Sequence, residues 1–222
     1  MKKIRVWDLP TRLFHWALAL LVIGAIVFEK IGGNEIVWHF RCGYAALALV
    51  LFRILWGIFG TRYARFSSFL YQPRDIVAYA KSFLSSSSAR HIGHNPLGGL
   101  SVVALLGVIL LQASTGLWSN DDIANEGPLA KFISKELSDQ FTRFHTEIGA
   151  NLIYLFIGLH ITAILWYRFR KKQNLIAPMI TGDAETEAEA ATADDSWRMR
   201  GLALVLAALC AAFVYFVVTL QP

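Results

Sequence analysis

The chain has 222 residues, of which 55% are hydrophobic and 17% charged, against roughly 25% charged in a typical soluble domain. This composition excludes a soluble globular protein and describes an integral membrane protein in contact with lipid. The net charge of +5 is concentrated in particular connections, so it reports topology; no repeat or aromatic-basic interleaving of a nucleic-acid-binding kind accompanies it.

Crossing a hydrocarbon core takes about 20 mostly apolar residues, and five stretches qualify: residues 13–28, 40–60, 97–118, 146–167 and 200–219. The first lies in "LFHWALALLVIGAIVFEKIGG". It is short, borrows from its flanks and lacks a small-residue cleavage site, so a retained helix is expected rather than a signal peptide. Between the second and third spans, "PRDIVAYAKSFL" starts with Pro73 at a first helical position and spaces Ile76, Val77, Ala80, Phe83 and Leu84 along one face. This predicts an amphipathic helix lying flat on the membrane, ended by "SSSSAR". Between the fourth and fifth spans, "GDAETEAEAATADD" is acidic, alanine-rich and without large apolar residues, the composition of a disordered tether. The domain reading is therefore a four-helix transmembrane domain over 1–182, a tether over 183–195 and a fifth transmembrane helix over 196–222. Cys42 and Cys210 lie in different spans and outside any C-x-x-C-H context, which predicts packing roles and no covalent haem attachment.

Lysine and arginine set the orientation. Lys2, Lys3, Arg5 and Arg12 precede the first span; Arg62, Arg65, Arg74, Lys81 and Arg90 follow the second; Arg168, Arg170, Lys171, Lys172, Arg198 and Arg200 lie around the fourth connection. These regions face the cytoplasm. The alternate connections are poorer in positive charge, and residues 119–141 carry Asp121, Asp122, Glu126, Glu136 and Asp139 against Lys131 and Lys135. The N-terminus is expected in the cytoplasm and the C-terminus on the opposite side of the membrane.

Histidines in oil need a reason. His15 falls near the inner end of span one, His39 at the outer start of span two, and His145 and His160 on span four, 15 residues and about 22 Å apart along the axis. Fifteen steps of about 100° return within roughly 60° of the starting direction, so both rings project to one side of the helix. Each then has a partner at matching depth, His39 for His145 and His15 for His160. The inner match is looser, and helix tilt or a snorkelling Arg12 absorbs the difference. Two imidazoles at each of two depths suit haem b, whose iron has two free axial positions and wants a flat apolar slot between helices. A structural zinc site wants four nitrogen or sulfur ligands at one level.

The stretches "DLPTRLFHW", "WHFRCGYAALALVLFRILWG", "GHNPLGGL", "FHTEIGANLIYLFIGLH" and "NLIAPMITG" resemble the prokaryotic cytochrome b561 family, which includes the b-type cytochrome subunits of nickel-iron hydrogenases. The similarity covers about residues 4 to 182 in the expected order. It implies an all-α integral membrane fold, a four-helix bundle holding two haems b with a fifth C-terminal helix added here, and it carries the iron ligands onto His15, His39, His145 and His160. It also implies that one end of the electron path is a membrane quinone.

Haem propionates need cationic partners in a low dielectric. Arg41 and Arg143 stand two residues from His39 and His145, and Arg12 stands three from His15; interfacial snorkelling accounts for all three equally well. Arg53, in the otherwise apolar "LVLFRILW", is expected to face the bundle and serve an inner propionate or a quinone head group, the alternative being a side chain that snorkels to the inner surface. Asn95-Pro96 places His94 at the entrance of span three, as a residue behind the inner ligands or on the quinone side, or as an interfacial histidine in a turn; His91 is expected to face solvent.

Histidine on both faces of an iron leaves no open position, which favours outer-sphere electron transfer over oxygen activation. No P-loop, G-x-S-x-G, dinucleotide fingerprint or H-E-x-x-H is present. Three functions fit: a cytochrome passing electrons between quinone and a periplasmic cytochrome c or a hydrogenase- or dehydrogenase-type enzyme; a superoxide oxidase passing electrons to ubiquinone; or a haem-free transporter or proton path using the same histidines.

Overall fold

The computed structural model describes residues 2–82, 91–187 and 189–221. The elements run β1 (Lys2–Arg5), α1 (Leu9–Ile31), α2 (Ile36–Phe59), α3 (Pro73–Ser82), α4 (Pro96–Gly116), α5 (Lys135–Arg143), a π-helical turn (Phe144–Gly149), α6 (Ala150–Phe169), α7 (Ile176–Thr181), β2 (Asp183–Thr186) and α8 (Trp197–Val218). Among the described residues, five helical runs are long and apolar enough to cross a membrane: Leu9–Ile31, Gly33–Phe59, Pro96–Gly116, Lys135–Phe169 and Trp197–Val218. They coincide with the five predicted spans. The first gains the flanking residues it needed, and the fourth is longer than expected because α5 and the π turn continue α6 without a break. The protein is a multi-pass membrane protein.

Contacts divide the chain into two compact units. One comprises residues 1–13, 53–104 and 157–204. Its apolar centre is Ile4, Val6, Trp7, Tyr63 and Ala193, flanked by Ile92, Met179, Ala184 and Ala190. The all-helical architecture carries one short addition where a disordered tether was expected: β2 pairs antiparallel with β1, from Lys2 opposite Thr186 to Arg5 opposite Asp183. The segment that follows is held without large apolar side chains. Ala193 N–H donates to Arg5 O, Tyr63 O–H donates to Ala191 O, and Arg5 bridges Asp183 (2.7 Å) and Asp195 (2.8 Å). Asp195 also accepts from the Leu9 N–H and from Arg200. Backbone pairing and arginine–carboxylate bonds replace the hydrophobic burial that its composition lacks. Gly182, at φ 89°, ends α7 in the left-handed region and turns its carbonyl onto the N–H groups of Val6 and Trp7.

In the same unit α1 starts on Asp8, which is 1% exposed. Its Oδ1 accepts from the Thr11 N–H at 2.7 Å, the helix-capping arrangement, while Oδ2 accepts from the Thr61 hydroxyl and from Trp56 Nε1. Asn95 does the same for α4 through the Gly98 N–H, and its amide donates to the Tyr167 hydroxyl, which is bonded to that of Tyr79. Tyr79 is therefore the buried anchor of α3, whereas Val77, one of the residues expected along its apolar face, is exposed. Phe83, Leu84 and the "SSSSAR" stretch lie outside the described residues.

The second unit comprises residues 14–52, 105–156 and 205–222. Leu47, Leu117, Leu129 and Val214 form its buried cluster, with Tyr44, Ala48, Leu51, Leu110, Ala113 and Val217 packed around it. The C-terminal half of α8 is thus a packing element through Val214 and its neighbours.

Candidate functional site

Within the second unit, α2 and the π turn bring two of the predicted ligands together. The His39 and His145 ring centroids lie 6.0 Å apart, with their planes at 88°. Each ring is anchored through Nδ1 to a backbone carbonyl, His39 to Ala25 O on α1 at 2.8 Å and His145 to Gln112 O on α4 at 2.9 Å. A carbonyl can only accept, so both Nδ1 atoms carry the proton and both Nε2 atoms keep the lone pair that a metal takes. An imidazole–metal bond of about 2 Å plus roughly 1 Å from nitrogen to centroid, counted on both sides, puts an axial pair about 6 Å apart. Among the described residues no three His, Cys, Asp or Glu side chains form a metal-ligand group. Two opposed imidazoles are the donor set of an iron whose other four positions belong to a porphyrin. The residues present fit haem b.

The walls of this pair are specific. Gly116 lies against the His145 ring, and a Cβ there would meet Cε1 at 2.9 Å. Thr115 Oγ1 lies 3.4 Å from His145 Nδ1 and bonds the Leu111 and Gln112 carbonyls. Gln112 Nε2 donates to His145 O at 2.9 Å. Sequence reasoning missed Gln112 and the π turn; the available signal was a glutamine in the apolar run "GVILLQAST", since a polar side chain at that depth needs a partner.

The other two predicted ligands fall in different units. His15 belongs to the second, its ring edge-on to Trp16 at 5.0 Å, and His160 to the first; both are half-buried. The arginines beside the ligands have local partners. Arg41 lies over the Trp38 ring at 4.7 Å, and exposed Arg143 pairs with Glu147 one turn on at 3.2 Å. Arg12 donates to Ile180 O at 2.7 Å and stands 4.0 Å from the Asp195 carboxylate.

Arg53 and His94 belong together in the first unit. Arg53 is 3% exposed, with its guanidinium against the rings of Phe66 (5.2 Å) and Phe69 (5.9 Å) and its Nη1 buried without a hydrogen-bond partner. His94 is enclosed by Phe69 (4.5 Å) and Trp7 (4.7 Å), and its Nδ1 is likewise buried without a partner. Burial, helped by the Arg53 charge, pushes the His94 imidazole down to about 3, so the ring is neutral at physiological pH. This buried pair of a cation and a neutral imidazole is equipped to take an oxygen acceptor. His91 is exposed, as expected, with its ring edge-on to Tyr79.

The sequence profile of the family described as Prokaryotic cytochrome b561 matches residues 6–182. The "Probable Ni/Fe-hydrogenase B-type cytochrome subunit" of Azotobacter vinelandii is 22% identical over 81% of this chain and 87% of its own length. The protein of the same name from Cupriavidus necator is 23% identical over 82% and 87%. The "Probable superoxide oxidase CybB" of Yersinia pestis is 26% identical over 75% of this chain and 90% of its own length. No solved structure matches significantly.

Proposed function

This chain belongs to the prokaryotic cytochrome b561 family of membrane electron-transfer subunits, and from that premise we propose that it carries electrons between membrane quinone and a redox protein at the periplasmic face. Family membership implies haem b. In the proposal there are two haems per chain, the outer held by His39 and His145 and the inner by His15 and His160. Bound between two imidazoles, such a haem supplies one-electron transfer with no open coordination position.

The observation that carries the proposal is the anchored pair. His39 and His145 stand 6.0 Å apart with both Nδ1 protons committed to carbonyls, which leaves both Nε2 lone pairs for one metal. The buried Arg53 and His94 supply a place for a propionate or the carbonyl of a quinone head group. The lysine and arginine excess of three connections supports an N-terminus in the cytoplasm and residues 119–141 at the periplasmic face. That loop favours a partner with a cationic docking surface, such as a cytochrome c or the electron-transferring subunit of a hydrogenase- or dehydrogenase-type enzyme.

A second reading, superoxide oxidation with ubiquinone as acceptor, is favoured by the Yersinia pestis relative. The Arg143–Glu147 pair weighs against it, because it cancels one of the two positive charges next to the outer ligands that would steer an anion. The test is haem content and reducibility of the purified chain: two non-covalent, low-spin haems b per chain, both reduced by quinol. One haem per chain, or none, overturns the proposal; the absence of visible absorption bands supports the haem-free transporter.

A further inference from the structure

We propose that Gln112 is a positioning residue that fixes the plane of the His145 imidazole and thereby the perpendicular arrangement of the two axial ligands. The proposal rests on the outer-haem reading above, and its strongest support is that Gln112 holds the same histidine at two points. Its backbone carbonyl accepts from His145 Nδ1, and its side-chain amide donates to the His145 carbonyl, both at 2.9 Å. An imidazole on an isolated helix rotates about two side-chain torsions; one tied at both its backbone carbonyl and its Nδ1 does not.

The π turn makes the second contact possible. In Phe144–Gly149 the His145 carbonyl accepts the N–H of Ala150, five residues on, instead of that of residue 149. One residue is therefore accommodated beyond the α-helical register, a device that recurs at functional sites. The Gln112 amide sits on the face that this opens. A Cβ at Gly149 would collide with Gln112 Oε1, so the turn passes the amide only because residue 149 is glycine. The amide cannot be reversed, since its oxygen would then face the His145 carbonyl oxygen. As it stands, Oε1 is buried with no partner. A glutamine serving only to fill space would be replaced at an advantage by an apolar side chain of the same length; what distinguishes it here is the bond that its amide N–H donates to the carbonyl of residue 145. Thr115 and Gly116, three and four residues on, complete the platform beneath the ring.

The chemical consequence lies in the 88° between the ring planes. Parallel imidazoles split the two iron d orbitals that overlap with ligand π systems. Perpendicular imidazoles leave them nearly degenerate, which makes the electron paramagnetic resonance signal of a low-spin ferric haem strongly anisotropic and alters its potential. The oxidised, haem-loaded full chain should show one such signal, assigned to the outer haem by its loss in His39→Ala.

Two variants test Gln112. Gln112→Met keeps length and volume without a donor, and Gln112→Leu removes the donor on a shorter, branched apolar side chain that cannot bond the His145 carbonyl at all. Both should move the anisotropic signal toward the form of more nearly parallel rings, shift the outer-haem midpoint potential, and weaken outer-haem retention by about 10-fold or more, with the inner haem unchanged. A wild-type signal, potential and retention in both variants overturns the proposal. Loss of both haems in both variants also overturns it, by assigning Gln112 to general packing. Failure of the underlying reading looks different: His39→Ala and His145→Ala would then leave haem content and signal untouched.

Discussion

Replacing Asp8 with alanine tests how α1, the helix that carries His15, is started. The carboxylate is 1% exposed and holds the Thr11 N–H at 2.7 Å, the Thr61 hydroxyl and the Trp56 indole N–H at 3.3 Å. Losing the cap costs about 1 kcal/mol. Trp56 keeps Thr11 Oγ1 at 3.2 Å, so the additional burial penalty falls on the Thr61 hydroxyl, about 1–3 kcal/mol. The sum is about 2–4 kcal/mol; at about 2–4 °C per kcal/mol for a chain of this size, the detergent-solubilised protein should melt roughly 5–15 °C lower. Asp8→Asn keeps an oxygen for the Thr11 N–H, and its amide can donate to a rotated Thr61 hydroxyl, so it should lose about half as much. Melting followed by far-ultraviolet circular dichroism and by the haem absorption band measures both. Asp8→Ala melting within about 2 °C of the parent, or Asp8→Asn falling below Asp8→Ala, would refute the capping argument.

Replacing His39 or His145 with alanine should empty one and the same haem site, and replacing His15 or His160 the other, read as haem per chain and by difference spectra; His39→Ala and His160→Ala emptying one site would break the pairing. Burial pushes the Asp195 carboxyl up, but Arg200, the Leu9 N–H and Arg5 more than offset it and hold it below the ordinary carboxylate range. Its pairing therefore stabilises the 183–195 segment at and above that range and is lost as pH falls through the lowered value. Hydrogen exchange at the Ala193 N–H should accelerate there and, at neutral pH, in Asp195→Asn; equal protection in both proteins would contradict this. Removing residues from Trp197 onward should leave both haems, because none of the four ligands lies on α8, while uncovering Leu47, Leu117 and Leu129; haem-free but membrane-inserted protein would place α8 in the cofactor core. Raising ionic strength should slow electron transfer to a cationic partner at the outer loop, and so should Glu126→Gln with Glu136→Gln at low salt. If superoxide is the donor, those two changes speed its oxidation and Arg41→Ala slows it. Asp121 is a poor choice for this experiment, since its carboxylate accepts the N–H groups of Ile123, Ala124 and Asn125 and holds the loop's shape.

What could be read in the sequence is what periodicity and depth encode. Five apolar runs predicted five spans, and counting residues from the membrane faces paired His39 with His145, because a helix converts sequence distance into height at a fixed rate. Arg53 stood out for the same reason, as a charge in a run too apolar to hide it. The sequence reading missed one local partner: Arg143 and Glu147 stand four residues apart on a helix, a spacing that makes an ion pair at the surface, so the arginine beside His145 is occupied by its own helix.

The rest depends on backbone atoms, which side-chain patterns do not describe. Residues 183–195 read as a tether because they offer nothing apolar to bury, yet β1 supplies hydrogen bonds that any sequence can make, and the contacts of Asp183 and Asp195 with Arg5, Arg12 and Arg200 select this one. The π turn has no composition of its own; "FHTEIG" is as good an α-helix as many others. Only the opposing Gln112, which bonds a carbonyl displaced from its usual partner, and Gly149, which makes room for it, indicate that one extra residue is accommodated there. Two imidazoles at one depth can be found by counting. Their right angle requires carbonyls on two further helices, those of Ala25 on α1 and Gln112 on α4, each accepting one ring proton. A substitution at Ala25 or Gln112 that left the backbone in place would keep those anchors, so the side-chain amide of Gln112 is the part of the arrangement that mutation can remove by itself.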